Sequence, residues 1–320
     1  MTLLRVRTLT RMANPRVLAF AQLMRLPNVF TAFADIALAT AAGTAVQPAA
    51  PPGFWAAAVL LGLTSGCLYL AGMVWNDYFD RAEDAAARPF RPIPSGRVAV
   101  RTAVLLGTAL MLAGLGFAAL AGGMGEGGWS GEPLAYAVAI AAAVLIYDGG
   151  MKRTPAGPIA MASCRLLNVL LGLSMVPDAA LDLPTRLHLA GVVGVYIVGV
   201  TWFARTEEGL SSPRHLLAAA TVLVVSLVLA LALKARLPLG SGTVAFPYLV
   251  VLFGFYVGRP VARAVSTPGA REVQAAVKRC VLGLVVLDAV LATAFVGLPG
   301  LLILLLLPPA LVLGKWVYST

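Results

Sequence analysis

The chain has 320 residues, of which 60% are hydrophobic and a further 32 are Gly, while only 12% are charged. Its mean hydropathy is +0.88. Disorder is excluded because disordered chains lack apolar residues, and a soluble domain would need about twice this charge to cover its surface. The composition is that of a polytopic membrane protein, and the net charge of +10 is concentrated at the ends of apolar segments, where it reports topology rather than a nucleic-acid partner.

A spanning helix needs about 20 mostly apolar residues. Residues 1–28 read as an N-terminal arm carrying Arg5, Arg7, Arg11, Arg16 and Arg25. Only eight residues separate Arg16 from Arg25, with no A-x-A site, so no cleavable signal is expected. Spans are predicted near 29–46, 54–75, 102–122, 133–147, 158–176, 187–204, 214–233, 245–262 and 278–297. A tenth apolar stretch, 299–317, lies in the segment 298–320 and is interrupted by Pro308-Pro309. The fold class is therefore all-α, with about nine transmembrane helices and a candidate tenth. Cys67, Cys164 and Cys280 fall inside apolar runs, show no metal spacing and have only His188 and His215 as potential companions, so a zinc site is not expected.

The 24 Lys and Arg test this topology. Alternating spans put 21 of them on one side: the arm, the second-to-third loop (Arg81, Arg88, Arg91, Arg97, Arg101), the fourth-to-fifth side (Lys152, Arg153 and Arg165) and the later loops and tail on that face. Three, Arg186, Lys234 and Arg236, fall on the other. The positive-inside rule then places the N-terminus and the basic loops in the cytoplasm, and the chain in the inner (cytoplasmic) membrane.

Of 14 acids, four lie within eight residues of one another: Asp77, Asp80, Glu83 and Asp84, preceded by Asn76. Asp77, Asp80 and Asp84 are spaced i, i+3, i+7, so on a helix they share a face. Stacked like charges destabilise a helix, and three carboxylates converging at a span's end call for a cation. Oxygen ligands with an amide favour Mg²⁺, which keeps waters and bridges to substrate phosphates. The plainer alternative is a salt-bridged helix end, with Arg81 four residues from Asp77 and Arg88 four from Asp84. The following loop, Arg88-Pro89-Phe90-Arg91-Pro92-Ile93-Pro94-Ser95-Gly96-Arg97, adds three Arg on a Pro-stiffened turn. Carboxylate-held Mg²⁺ beside Arg is an arrangement suited to a diphosphate.

Asn76-Asp77-x-x-Asp80-x-x-x-Asp84 followed by Arg91-Pro92-Ile93-Pro94-Ser95-Gly96 resembles the first Asp-rich motif of the UbiA superfamily of membrane prenyltransferases. Tyr147 with Lys152 and Arg153 resembles the family's Tyr-to-basic loop near the diphosphate, and Arg25-Leu26-Pro27-Asn28 its segment before the first span. Together with Thr201-Trp202-Phe203-Ala204-Arg205, these segments look most like the EboC-like branch. The resemblance implies a prenyltransferase domain over 29–297, built around a central cavity, with Mg²⁺ holding a prenyl diphosphate. It assigns Asn76, Asp77, Asp80 and Asp84 to metal, and Asn28, Arg88, Arg91, Tyr147, Lys152, Arg153 and Asn168 to substrate. The family's second Asp-rich motif falls between the sixth and seventh spans, where this chain reads Trp202-Phe203-Ala204-Arg205-Thr206-Glu207-Glu208-Gly209. Glu207 or Glu208 could hold a metal there, and Arg205 could supply fixed positive charge in place of a second Mg²⁺.

Other polar residues have plainer readings. Asp35, Arg165, Asn168 and Asp288 lie inside spans, where ionisable groups are costly and face a cavity or one another; Arg165 paired with Asp35 or Asp288 would be structural glue. Asp148 reads as a loop acid. Trp75, Tyr78, Trp202 and Tyr256 read as interfacial anchors. The expected activity is transfer of an isoprenoid chain from a prenyl diphosphate to a lipophilic acceptor among membrane lipids, with no nucleic acid involved and no protein partner indicated. A membrane terpene cyclase and a non-catalytic lipid-phosphate binder or transporter are the alternatives.

Overall fold

A computed structural model describes residues 14–47, 49–125, 128–205, 212–238 and 241–318. Every regular element among them is helical. A short α1 (Pro15–Leu23) and a 3₁₀ turn (Leu26–Asn28) lead into α2 (Val29–Val46) and α3 (Phe54–Phe79). They are followed by α4 (Arg81–Ala87), α5 (Val100–Gly122), α6 (Glu132–Gly149) and α7 (Gly157–Leu173). The second half comprises α8 (Leu183–Ala204), α9 (Pro213–Ala232), α10 (Phe246–Ser266), α11 (Ala270–Val296) and α12 (Leu307–Tyr318), the last preceded by a 3₁₀ stretch (Leu298–Leu306).

Among the described residues nine helical segments are long and apolar enough to cross a membrane, and α7 is a shorter apolar helix. At 17 residues α7 extends only about 26 Å, short of a bilayer's hydrocarbon core of about 30 Å. It must nonetheless cross, because it carries the chain from the end of α6 to the start of α8. Several starts follow from local chemistry. Pro occupies the first helical turn of α6, α7, α8, α9 and α10, where its missing N–H costs nothing. The Asp182 side chain caps α8 by accepting from the Thr185 amide, and that hydrogen bond holds the carboxyl below the usual carboxylate range.

Helix limits depart from the sequence reading at several places: the second span runs on to Phe79, the sixth begins at Leu183 and the eighth ends at Ser266. The fifth span ends at Leu173 rather than 176. The ninth begins at Ala270, because the Arg271–Arg279 stretch continues as helix instead of forming loop. The segment after Gly297 folds back as 3₁₀ followed by α12, with Pro308 and Pro309 in the first turn of the α-helix instead of breaking it. It returns to the N-terminal side, where Gln22 Nε2 donates to the Val317 carbonyl at 3.1 Å.

The spans pack through small residues, as helices in lipid do. A Cβ on Gly172 of α7 would lie 2.5 Å from the Ala39 Cβ of α2, so these two backbones are in near contact. α11 packs against α2, α8 and α10 and is the most buried span, whereas α5 and α10 turn Leu105, Leu112, Leu252 and Phe255 outward. At the end of the bundle opposite the acids, Arg186 is only 3% exposed and donates to the carbonyls of Leu173, Val176 and Leu181. The guanidinium thereby caps the C-terminal end of α7.

Candidate active site

The acids do not lie on one uninterrupted helix. α3 ends at Phe79, Asp80 forms the turn between it and α4, and the path resumes at Arg81. The amides of Asp80 and Asp84 still bond back four residues, so Asn76, Asp77, Asp80 and Asp84 remain close despite the interruption. Asp77 and Asp84 are 4% and 1% exposed.

Two acid pairs result, each spanned by one cationic side chain. Arg91 Nη1 lies 3.5 Å from Asp77 Oδ1 and 2.7 Å from Asp84 Oδ2. Lys152 Nζ lies 2.8 Å from Asp80 Oδ1 and 3.4 Å from Asp148 Oδ1. Arg88 adds a second contact to Asp84 at 3.2 Å, and Arg153 one to Asp80 at the same distance. Asn76 Nδ2 donates to Asp148 Oδ1 at 2.7 Å and joins the pairs. Arg81, offered above as the partner of Asp77, instead donates to the Tyr78 carbonyl and lies over the Tyr78 ring. The side-chain pairing with Asp77 comes from Arg25, 3.5 Å away, and Arg91.

Three surrounding segments hold the bases in place. Arg25 is the one described non-Gly residue with positive φ, at 44°, a conformation that normally needs surrounding contacts to persist. Here its guanidinium donates to Asn76 Oδ1 at 3.2 Å and to Asp77. The Arg91 loop is pinned by buried Ile93 and Val98, which pack with Leu23 and Val74, and by Arg97, which donates to Gln22 Oε1 and the Phe90 carbonyl. The turn carrying Lys152 and Arg153 is gripped by Arg205, whose Nη2 donates to the carbonyls of Lys152 and Thr154. Arg205 thus reaches the site through the backbone of a basic loop.

Below the acids lies a cavity of about 280 Å³ bordered by Arg25, Asn28, Asn76, Tyr147, Asp148 and Asn168, with Leu68, Ile140, Val144 and Leu284 among its apolar walls. Tyr69 precedes Asp77 by eight residues on α3, so it lies about 12 Å deeper. The Arg165 guanidinium lies 5.4 Å from the centre of the Tyr69 ring, at matching depth. Arg165 Nη1 donates to Asp35 Oδ2 at 3.1 Å and Nη2 to Thr31 Oγ1 at 2.6 Å. Asn168 Nδ2 donates to the same Asp35 oxygen at 2.7 Å and to the Ala32 carbonyl. Asp288, on the α11 helix that packs against α2, is also fully buried, and neither of its carboxyl oxygens has a hydrogen-bond partner among the described residues. Of the two partners left open for Arg165, Asp35 takes the ion pair. The cavity therefore has two polar layers separated by apolar wall.

The sequence-nominated residues divide accordingly. Asn76, Asp77, Asp80, Asp84, Arg88, Arg91, Lys152 and Arg153 meet in the upper layer, and Asn28, Tyr147 and Asn168 line the cavity. Glu207 and Glu208 lie outside the described residues. Asp148 requires correction: it is no loop acid but the penultimate residue of α6, 3% exposed and bonded to Asn76 and Lys152. Tyr69 was missed outright, because an isolated Tyr in an apolar run has no distinguishing spacing.

A profile of the UbiA prenyltransferase family matches residues 36–275, three quarters of the chain. The chain belongs to the UbiA prenyltransferase family. It is 31% identical over 209 residues to a digeranylgeranylglyceryl phosphate synthase of Methanopyrus kandleri, covering 61% of this chain and 71% of that one. To the same-named enzyme of Methanothrix thermoacetophila it is 36% identical over 143 residues, 44% of this chain and 48% of that one; the match therefore spans about half that relative's length. A solved structure concerning digeranylgeranylglyceryl phosphate synthase in membranes superposes with a TM-score of 0.63 at 16% identity, over 88% of this chain and 99% of the other. A UbiA homolog from Archaeoglobus fulgidus bound to DMAPP and Mg²⁺ superposes with a TM-score of 0.53 at 15% identity, over 81% and 99%. The all-helical membrane fold of the family is thus shared along most of the chain.

The residues present also fit the Mg²⁺ that the family implies. Among the described residues no three acid, His or Cys side chains group closely enough to hold a metal alone. Mg²⁺ needs no such cage, being bound through one or two carboxylates, waters and substrate phosphates. Asp77 with Asp84, and Asp80 with Asp148, each already direct two anionic oxygens at one positive centre.

Proposed function

We propose that this protein is a Mg²⁺-dependent intramembrane prenyltransferase, moving an isoprenoid chain from a prenyl diphosphate to a lipophilic acceptor. The observation that carries the reading is the upper layer: two acid pairs, each spanned by a base, over an apolar cavity. Asp77, Asp84, Asp80 and Asp148 would hold the metal, with Asn76 as an amide ligand. Mg²⁺ when bound would neutralise the departing diphosphate and so ease breaking of the allylic C–O bond. Arg88, Arg91, Lys152 and Arg153 would then turn from carboxylate to phosphate oxygens, which Arg can grip through two donors at once. Arg205 orders the loop that supplies two of these bases. Tyr147 borders the cavity beside the acids, and its electron-rich ring face suits the positive charge that develops on the chain's first carbon. The apolar wall keeps water from that carbon.

The lower layer supports an acceptor site. Two of the five N–H donors of Arg165 are engaged by Asp35 and Thr31, and the residue borders the cavity, so a donor remains for an acceptor oxygen. With Asp35 cancelling its charge, Arg165 suits a hydroxyl or carbonyl oxygen better than a second anion. Asn168 would flank the same oxygen. Within the family, the motifs at Arg25–Asn28 and Thr201–Arg205 favour the EboC-like branch, whereas the curated relatives described above are named as digeranylgeranylglyceryl phosphate synthases. The 21-to-3 division of basic residues supports a cytoplasmic upper layer in the inner membrane.

The test is to incubate purified protein with Mg²⁺ and prenyl diphosphates of several lengths, with and without membrane extract, and to identify products by mass spectrometry. Mg²⁺-dependent diphosphate release with a prenylated product only when extract is present is the expected result. Release with a cyclised hydrocarbon and no extract would replace the reading with a cyclase. Absence of release at any chain length would leave a lipid-phosphate binder.

A further inference from the structure

A separate cleft lies on the outer surface, where α10 meets α11 at the end of the bundle that also carries the acids. It encloses about 830 Å³ and is lined by Leu252, Phe255, Tyr256, Arg259, Arg263 and Arg279, with Pro260 between them. Residues 252, 255, 256, 259 and 263 fall at i, i+3, i+4, i+7 and i+11, so they form one stripe along α10. The stripe is graded. Leu252 and Phe255 are both more than 60% exposed at membrane depth, Tyr256 follows, and Arg259 and Arg263 stand at the helix end. From first to last it runs about 16 Å.

Across the cleft, Arg279 of α11 lies 4.8 Å from the centre of the Tyr256 ring and lines the same cleft as Arg259 and Arg263. No ion pair neutralises these three arginines among the described residues. Glu272, the acid in the first turn of α11, folds back on its own helix start, where a Cβ on Gly269 would meet its Oε2 at 2.6 Å.

Scattered arginines that snorkel to headgroups would need neither a shared cleft nor an aromatic rest. We infer that this cleft is a binding site for an anionic phospholipid, with the headgroup phosphate held by Arg259, Arg263 and Arg279 and an acyl chain laid along Phe255 and Leu252. Basic pockets between transmembrane helices suit acidic headgroups, and guanidinium matches phosphate geometry. The apolar half of the stripe selects a lipid over a free phosphate. The site is distinct from the prenyl diphosphate site and does not depend on it.

The experiment uses the full-length protein in detergent, titrated with phosphatidylglycerol or phosphatidylcholine of matched chains and read by native mass spectrometry. Phosphatidylglycerol is expected to be retained at least tenfold more strongly than phosphatidylcholine. The preference should shrink as salt rises, and a tenfold excess of inorganic phosphate should not displace the lipid. Arg259→Gln/Arg263→Gln/Arg279→Gln should abolish the preference while Mg²⁺-dependent diphosphate release is unchanged. Equal retention of the two lipids, displacement by inorganic phosphate, or an undiminished preference in the triple variant would overturn the inference. The salt and phosphate arms use the native chain and decide the matter even if the triple variant does not fold.

Discussion

Arg165→Met removes the cationic member of a polar group near the middle of the bundle. Arg165 Nη1 is 3.1 Å from Asp35 Oδ2, and Asp35 and Asp288 are both fully buried. At an effective dielectric of about 20 the pair interaction is roughly 5 kcal/mol. Breaking a buried pair from one side costs about 3–5 kcal/mol, chiefly because the remaining charge is stranded. Arg165→Met should therefore destabilise by about that amount. Asp35→Asn/Arg165→Met should recover at least about 2 kcal/mol, since neither formal charge of the pair remains. The assay is reversible unfolding in mixed micelles, applied to the native protein, both single variants and the double variant as a cycle. Strictly additive losses would show that Arg165 and Asp35 are not energetically coupled and would refute the two-layer account of the cavity.

Asp80→Asn, which removes a charge shared by Lys152 and Arg153, should weaken Mg²⁺-dependent prenyl diphosphate binding at least tenfold, about 1.4 kcal/mol, in calorimetric titration of a folded variant. Arg205→Ala should raise KM for the prenyl diphosphate by releasing the Lys152–Thr154 backbone, with Arg205→Lys recovering only part, because one ammonium cannot reproduce the guanidinium fork. Arg186→Ala should cost about 3 kcal/mol or more in the same unfolding assay, since it strands the carbonyls of Leu173, Val176 and Leu181 between α7 and α8. For topology, Ser95→Cys should react with impermeant thiol reagents only from the cytoplasmic face and Gly128→Cys only from the opposite face.

The all-helical fold was legible because lipid leaves few options. Backbone groups must be satisfied within each span, so hydropathy and the basic-residue asymmetry nearly determine the spans. The first acid motif was legible for a similar reason: Asp77, Asp80 and Asp84 are close in sequence and costly together. What pairs with them was less so. Arg25 precedes Asp77 by 52 residues, and Lys152 follows Asp80 by 72, so no local spacing announces either contact. Arg81 and Asp77 have favourable helical spacing yet do not pair, because the path turns at Asp80 and Tyr78 offers Arg81 both a carbonyl and a ring.

Asp148 shows where sequence reasoning runs short. A single acid beside Gly149-Gly150 reads as loop, since glycines commonly end helices and loops commonly carry acids. The glycines do end α6, but Asp148 is one residue inside that end, and the register directs it toward α3. Its function-bearing feature is thus a relation between two helices, fixed by packing. A mid-span Arg165 could be recognised as costly from sequence alone, yet the identity of its partner depended on the close approach of α7 to α2 at Gly172 and Ala39. Small residues there bring Asn168 and Arg165 onto Asp35, and a larger residue would separate them. The same near-contact that packs the bundle therefore builds the lower polar layer, so the fold and the deeper part of the cavity rest on one set of glycine and alanine positions.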